Sequence, residues 1–457
     1  MGSYTTIDPA TGELVAEFPE ISNAQLDELI GLSATTYRSW RRTPLADRRV
    51  VLSRVAELHR EQADDLAKIL TLEMGKPIAQ ARGEVELVAS IYAYYAERAD
   101  DLLADEHLDI SGPGTAVVRT EAIGPLVGVM PWNYPYYQVA RFAAPNLVLG
   151  NTIILKHARN CPQSALAVQR ILSEAGLPDG GYLNAFISSD QVALAIADPR
   201  VQGVSLTGSE RAGSAVGEVA GRHMKKCVLE LGGSDPFIVL DDADVDAAAG
   251  AAAVGRYANG GQACTASKRL LVHTDVYDEF VSKFIAATEG WAPGEPTDPE
   301  TMLGPLSSES AADELDGLVV DAVDQGAEVL VDGFRRRSGA FYPPTVLTAV
   351  TPDMRAYAEE LFGPVAVVHR IGSVKEAIDL ANDSPFGLSS SVFTGDPDTA
   401  AHVAAELETG MVWINSTSRS APDLPFGGVK ASGIGRELAR FGIDEFANKK
   451  LVRNTKG

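Results

Sequence analysis

Cysteine is scarce in this chain: three in 457 residues, Cys161, Cys227 and Cys264, an odd number with no CxxC spacing. That argues against a disulfide framework and against a zinc site built on paired thiols. Histidine is thin as well, with seven residues scattered singly and no HExxH, so no metal is expected. Lys and Arg total 39 against 62 Asp and Glu, and the net charge of −23 disfavours nucleic acid or an anionic membrane as a partner. Long apolar runs are missing too. AAPNLVLGNTIIL is broken by Asn and Gly, and no basic leader with an apolar stretch opens the chain, so no membrane span is expected and a cytoplasmic location is. What is present is an ordinary globular composition, 45% hydrophobic and 22% charged, with length enough for two or three domains.

A short extended start gives way to helical periodicity over the first hundred residues, clearest in RRVVLSRVAELHREQADDLAKILTLEMGK. Near residue 115 the texture becomes β-branched, and from there strands and helices alternate. PLVGVM (125–130), TIILK (152–156), YLNAFIS (182–188), VQGVSLTG (201–208) and CVLEL (227–231) read as strands, with helices between them such as QSALAVQRILSEAG (163–176). A second alternating set follows: RLLVH (269–273), AEVLV (327–331), VAVVHRI (365–371), SSSVFT (389–394) and GMVWIN (410–415). Repetition of this kind predicts an α/β fold with parallel, doubly wound sheets, which bind ligands at the carboxyl ends of their strands.

Cys264 sits at the junction of the two sets, just after a Gly-Gly-Gln turn in NGGQAC (259–264). A free cysteine is commonly a compact buried hydrophobe, but glycines before it let a substrate approach, as a nucleophile requires. Cys227 begins a predicted buried strand and Cys161 follows a loop, so both are expected to be structural.

Six motifs then stand in order: PWNYP (131–135), LTGSERAG (206–213), LELGG (229–233), NGGQAC (259–264), EELFGPV (359–365) and PFGGVKASGIGRE (425–437). In this the chain resembles the aldehyde dehydrogenase superfamily over nearly its whole length. The resemblance implies two doubly wound α/β domains plus a β oligomerisation arm. Residues 1–103 and 123–232 would form the dinucleotide-binding domain, 233–435 the catalytic domain, and 104–122 with 436–457 the arm. It implies a homodimer or homotetramer in which the tail strand adds to a neighbour's sheet.

The resemblance also assigns roles. Cys264 would attack the aldehyde carbon to give a thiohemiacetal, and needs its thiolate, a minor species for a thiol of ordinary pKa near 8.5. Asn133 and the backbone N–H of Cys264 would hold the oxyanion. After hydride loss leaves a thioester, Glu230 would deprotonate the hydrolytic water; its setting between Leu229 and Leu231 suggests burial, which raises a carboxyl pKa toward that use.

No GxGxxG follows a strand. Gly208 and Ser209, at a strand-to-helix junction, would meet the pyrophosphate instead. Lys156 matches the family's ribose-contacting lysine, and Glu360, Phe362 and Trp132 match the nicotinamide end. Arg159 stands where NAD-preferring members have a glutamate. An arginine cannot accept from a ribose 2′-hydroxyl but can pair with a 2′-phosphate, which predicts NADP, with NAD possible but weaker.

Strings such as LKHA, LELGGSDPFIV and LPFGGVK resemble the short, NADP-preferring succinate-semialdehyde dehydrogenases. Arg141 and Ser420 match their substrate-carboxylate ligands, making succinate semialdehyde the expected small-molecule substrate. Ala258 and Ala421 depart from that clamp, and Tyr136 and Tyr137 add aromatic character near the entrance, so uncharged aromatic or aliphatic aldehydes are the alternative. A CoA-acylating dehydrogenase and a thiol esterase are remoter ones.

Overall fold

The computed structural model describes residues 3–456; Met1, Gly2 and Gly457, which the expected domain boundaries include, lie outside the described residues. The extended start is an antiparallel hairpin, Ser3–Ile7 with Leu14–Pro19, followed by four helices, Asn23–Trp40, Leu45–Glu61, Ala63–Met74 and Ile78–Leu102. The apolar faces of the last three pack on one another and on the helix Tyr137–Leu149, joined there by Trp40, while Leu26 and Ile30 of the first helix pack in a separate core with Val127 and Ile154. Glu73, fully buried, ties hairpin to core: its carboxylate accepts from Thr6 Oγ1 (2.7 Å) and from the backbone N–H groups of Gln163 (2.7 Å) and Ser164 (2.8 Å). Those two donors open the helix Pro162–Glu174, so the acid caps a helix from a distance.

The first sheet among the described residues runs in the order Gly433–Ile434, Lys226–Glu230, Gly203–Thr207, Pro125–Val129, Thr152–Lys156, Tyr182–Asn184. All its pairs are parallel except Gly433–Ile434 with Lys226–Glu230. The chain builds outward from Pro125–Val129 on one side, then returns to build on the other. The switch point therefore falls between Pro125–Val129 and Gly203–Thr207, where such sheets open a crevice at their carboxyl ends.

The second sheet runs Glu328–Val331, Thr345–Thr348, Val365–Ile371, Ser267–His273, Asp235–Val239, Ser389–Phe393, Met411–Ile414, and only its Glu328–Val331 edge is antiparallel. The strands Asp235–Val239 and Thr345–Thr348 are absent from the sequence expectations above. YLNAFIS shortens to Tyr182–Asn184, because Phe186 and Ile187 turn to the N-terminal segment: Ile21 N–H donates to Phe186 O (2.9 Å), and Tyr4 Oη to Ile187 O (2.7 Å). A third, antiparallel sheet joins Glu106–His107, Thr115–Ala122 and the tail strand Ala447–Asn454. Among the described residues no helix is long and apolar enough to cross a membrane.

Candidate active site

The chain leaves the first sheet at Glu230 and enters the second at Asp235, so Leu231–Ser234 is a short bridge between the two. The carboxyl edge of the first sheet there faces the segment that precedes the strand Ser267–His273. A cleft of about 270 Å³ lies between them, lined among others by Trp132, Asn133, Glu230, Cys264, Glu360 and Phe362.

The loop bearing Cys264 owes its shape to left-handed backbone. Asn259, Gly260 and Gly261 have φ of 54°, 65° and 70° in succession. At Gly261 a Cβ would sit 2.5 Å from the carbonyl oxygen of Gly363, so only glycine fits. Asn259 Nδ2 donates to the carbonyls of Asn133 (3.0 Å) and Gln262 (3.2 Å). Lys268, buried beneath the loop, donates to the carbonyls of Ala263 (2.9 Å) and Cys264 (2.8 Å) and pairs with Glu360 Oε1 (2.8 Å). The carbonyls are thus drawn inward. Among the described residues no acceptor takes the backbone N–H of Cys264.

Asn133 follows the strand Pro125–Val129 and comes to the same cleft, donating through Nδ2 to Gln262 O (3.0 Å). One N–H of that amide is left for a substrate oxygen. Its own carbonyl is anchored by Lys76 Nζ (3.1 Å), which pairs with Glu84; Glu84 in turn accepts from the N–H groups of Tyr136 (2.9 Å) and Tyr137 (3.1 Å) at the start of the helix Tyr137–Leu149. Both partners of this ion pair are 1% exposed. Replacing Lys76 by Met strands the Glu84 charge in the interior, and an uncompensated buried charge of this kind costs about 3–5 kcal/mol. Urea unfolding of Lys76→Met should show that loss, and the double variant Lys76→Met/Glu84→Gln should recover part of it.

Glu230 ends its strand and faces the Cys264 thiol. Burial raises the Glu230 carboxyl above its ordinary pKa, and Arg141 opposes the shift. Burial, then the Glu230 charge, pushes the Cys264 thiol well above its ordinary value. The Glu230 charge thus disfavours the Cys264 thiolate, whereas the hydrogen bond from the Cys264 thiol favours the Glu230 carboxylate.

Arg141 differs from expectation. The sequence suggested a cation open to a substrate carboxylate; the guanidinium is fully buried, paired with Glu230 Oε2 (3.2 Å) and with Glu437, and donates to Thr207 Oγ1 (3.2 Å). The physical reason is that a buried cation needs compensating charge, and two carboxylates of the chain supply it. Toward the entrance it reaches Tyr137 Oη (3.4 Å), which donates to Ser420 Oγ (2.7 Å). Tyr136 is not near the entrance at all; it is buried, with Oη donating to Leu66 O (3.3 Å).

At the nucleotide end, Ser209 caps the helix Glu210–Arg222, its Oγ accepting from Ala212 N–H (3.4 Å), and Gly208 leads into that helix. Arg159 is paired with Glu20 rather than free. Burial lowers the Lys156 ammonium to about 8. Trp132 and Phe362 meet edge to face, centroids 5.6 Å apart, on the cleft wall. Fit to a dinucleotide is supported by the cradle at Gly232, where a Cβ would lie 2.7 Å from Glu360 Oε2, and by Glu210 Oε1, buried without a hydrogen-bond partner. Lys76, Glu84, Lys268 and Glu437 escaped the sequence reading. The signals available were a lysine in LEMGKP amid apolar helix, and a lysine entering the buried strand SKRLLVH.

A family model described as the aldehyde dehydrogenase family matches residues 2–452. The chain is 54% identical over 451 residues to a succinate-semialdehyde dehydrogenase [NADP(+)] of Deinococcus radiodurans, covering 98% of this chain and 94% of the other. It is 45% identical to succinate-semialdehyde dehydrogenase [NADP(+)] 1 of Mycobacterium tuberculosis, with 98% of each covered. Among solved structures it superposes on the succinic semialdehyde dehydrogenase of Streptococcus pyogenes in complex with NADP+ with a TM-score of 0.96, at 42% identity, over 98% of this chain and 99% of that one.

Proposed function

The chain belongs to the aldehyde dehydrogenase family, and from that premise we propose that it oxidises succinate semialdehyde to succinate with NADP+. The observation that carries the reading is one cleft fed by three separate segments, with Cys264, Glu230 and Asn133 together. The identity to NADP+-dependent relatives over the whole chain supports substrate and cofactor.

Cys264 Sγ, as thiolate, adds to the aldehyde carbon. The Asn133 amide and the backbone N–H of Cys264 stabilise the resulting oxyanion, each such donor contributing about 3–4 kcal/mol in the transition state. When bound, a nicotinamide would supply the hydride acceptor, and loss of hydride from the adduct carbon would leave a thioester on Cys264. Glu230 then takes a proton from water as the water adds to the thioester carbon, the thiolate departs, and the carboxylate is released. Trp132, Phe362 and Glu360 would line the nicotinamide end, Gly208 and Ser209 would hold the pyrophosphate, and Lys156 and Arg159 would hold the phosphorylated ribose. The substrate carboxylate meets the hydroxyls of Ser420 and Tyr137, with Arg141 behind them supplying charge through Tyr137 Oη.

We read the first sheet with its helices as the dinucleotide-binding domain and the second as the catalytic domain, with the expected boundaries. The three-stranded sheet serves as the arm of a homodimer or homotetramer, a use that suits a tail strand with Leu451 60% exposed.

A second reading, oxidation of uncharged aldehydes, is favoured by the pairing of Arg141 and by the aromatic wall of Tyr137 and Phe426, centroids 6.4 Å apart. Reduction at 340 nm across a panel of aldehydes, with NAD+ and with NADP+, separates them. Succinate semialdehyde with NADP+ should give the highest kcat/KM, about tenfold or more above uncharged aldehydes of similar size. An uncharged aldehyde at the top would favour the second reading. Free succinate as product, with CoA present, excludes acyl transfer to CoA.

A further inference from the structure

The hairpin Ser3–Ile7/Leu14–Pro19 lies against the turn after the strand Thr152–Lys156, and Glu20 leaves that hairpin just before the helix Asn23–Trp40. Its backbone is fixed on both sides: Pro19 before it pairs with Ser3 in the hairpin, and after it Ile21 N–H donates to Phe186 O (2.9 Å) and Ser22 forms the helix's capping box. The Glu20 carboxylate, only 12% exposed, pairs with Nη2 of Arg159. The same guanidinium donates through Nη1 to Ser3 O (3.2 Å) and lies 5.4 Å from the Tyr4 ring centroid, while Thr5 N–H donates to Arg159 O (2.9 Å). Lys156 Nζ lies 5.9 Å from that same ring, and the Glu20 charge is felt there too. Tyr4 itself is immobilised, with Oη donating to Ile187 O (2.7 Å) and accepting from Ile187 N–H (3.2 Å). Two cations and one carboxylate therefore share a built corner at the carboxyl edge of the first sheet.

We propose that Glu20 is a specificity-determining residue: it holds Arg159 before the cofactor arrives, competes with the 2′-phosphate for it, and so limits the preference for NADP+ over NAD+. This rests on the reading that Arg159 meets that phosphate. Lys156 and Arg159 bring two positive charges and Glu20 removes one, so a dianionic phosphate enters a corner of net +1. NAD+, with a neutral hydroxyl at that position, takes nothing from Glu20 and gains little from its loss. Removing the Glu20 charge therefore tightens one cofactor and not the other.

Dissociation constants of NADP+ and NAD+ for the full chain, by calorimetry at fixed ionic strength, test this. In Glu20→Gln the Kd of NADP+ should fall about tenfold and that of NAD+ stay within about twofold, with the NADP+ gain shrinking at high salt. Glu20→Asp retains the charge, and its NADP+ Kd should stay nearer the native value than that of Glu20→Gln; the reverse order overturns the proposal. Arg159→Met separates the two layers of inference. If it weakens NADP+ binding while Glu20→Gln changes nothing, or tightens both cofactors alike, the Glu20 proposal is wrong and the phosphate site stands. If Arg159→Met leaves NADP+ binding unchanged, the phosphate site is wrong and the proposal falls with it.

Discussion

Replacing Cys264 by Ala is expected to lower aldehyde oxidation by about 10⁵-fold or more, the scale seen when a covalent nucleophile is removed. Calorimetric NADP+ binding should survive, since Cys264 offers the nucleotide no ion pair or phosphate contact. The other two thiols provide the contrast. Cys161 is buried with Sγ against Trp132 O (3.9 Å), and burial, with Glu73 and Glu84 nearby, drives its thiol well above the ordinary value. Burial pushes Cys227 to about 11. Neither borders the cleft. Cys161→Ala and Cys227→Ala should therefore retain turnover within severalfold, measured as NADPH formation under saturating substrate. The Cys264 thiol is itself raised, so its thiolate grows with alkalinity. Alkylation of the free enzyme by iodoacetamide should accelerate as pH rises past neutral, and the modification should map to Cys264.

Much of this site was legible because the motifs lie where strands end. Glu230, Lys156 and Gly208–Ser209 all sit at carboxyl ends of strands in one parallel sheet, and strand–helix alternation fixes such ends from local pattern alone. Two strands escaped for local reasons: Asp235–Val239 opens with Asp-Pro, and Thr345–Thr348 follows a Pro-Pro pair, both poor strand signals. What no local pattern carries is pairing at long range. Arg141 could be recognised as a cation in an apolar stretch, but its partners Glu230 and Glu437 come from the far side of the switch point and from the C-terminal segment. The same holds for Arg159, whose partner Glu20 arrives on the N-terminal hairpin. In both cases sequence named the charge, and tertiary structure decided how much of it remains for a ligand.

That distinction gives Glu230→Gln its diagnostic force, because Glu230 has two partners with opposite demands. As the partner of Arg141 it is one of two carboxylates, and the pairing with Glu437 persists in the variant. As the group facing Cys264 it is, in the proposed mechanism, the base that serves the thioester, and glutamine cannot take a proton. Acylation should proceed while deacylation slows by about 10²–10⁴-fold, the usual contribution of a general base. Rapid mixing should then show a burst of one NADPH per active site followed by a slow steady rate, and mass spectrometry should find the succinyl group on Cys264. The thiol should move the other way. Loss of the neighbouring negative charge lowers its pKa, so iodoacetamide at neutral pH should react faster with Glu230→Gln than with the native chain. A faster thiol with a collapsed turnover is what a base-and-nucleophile pair requires. Were Glu230 only a counter-ion for Arg141, the variant would turn over near the native rate, with no burst and no trapped acyl group.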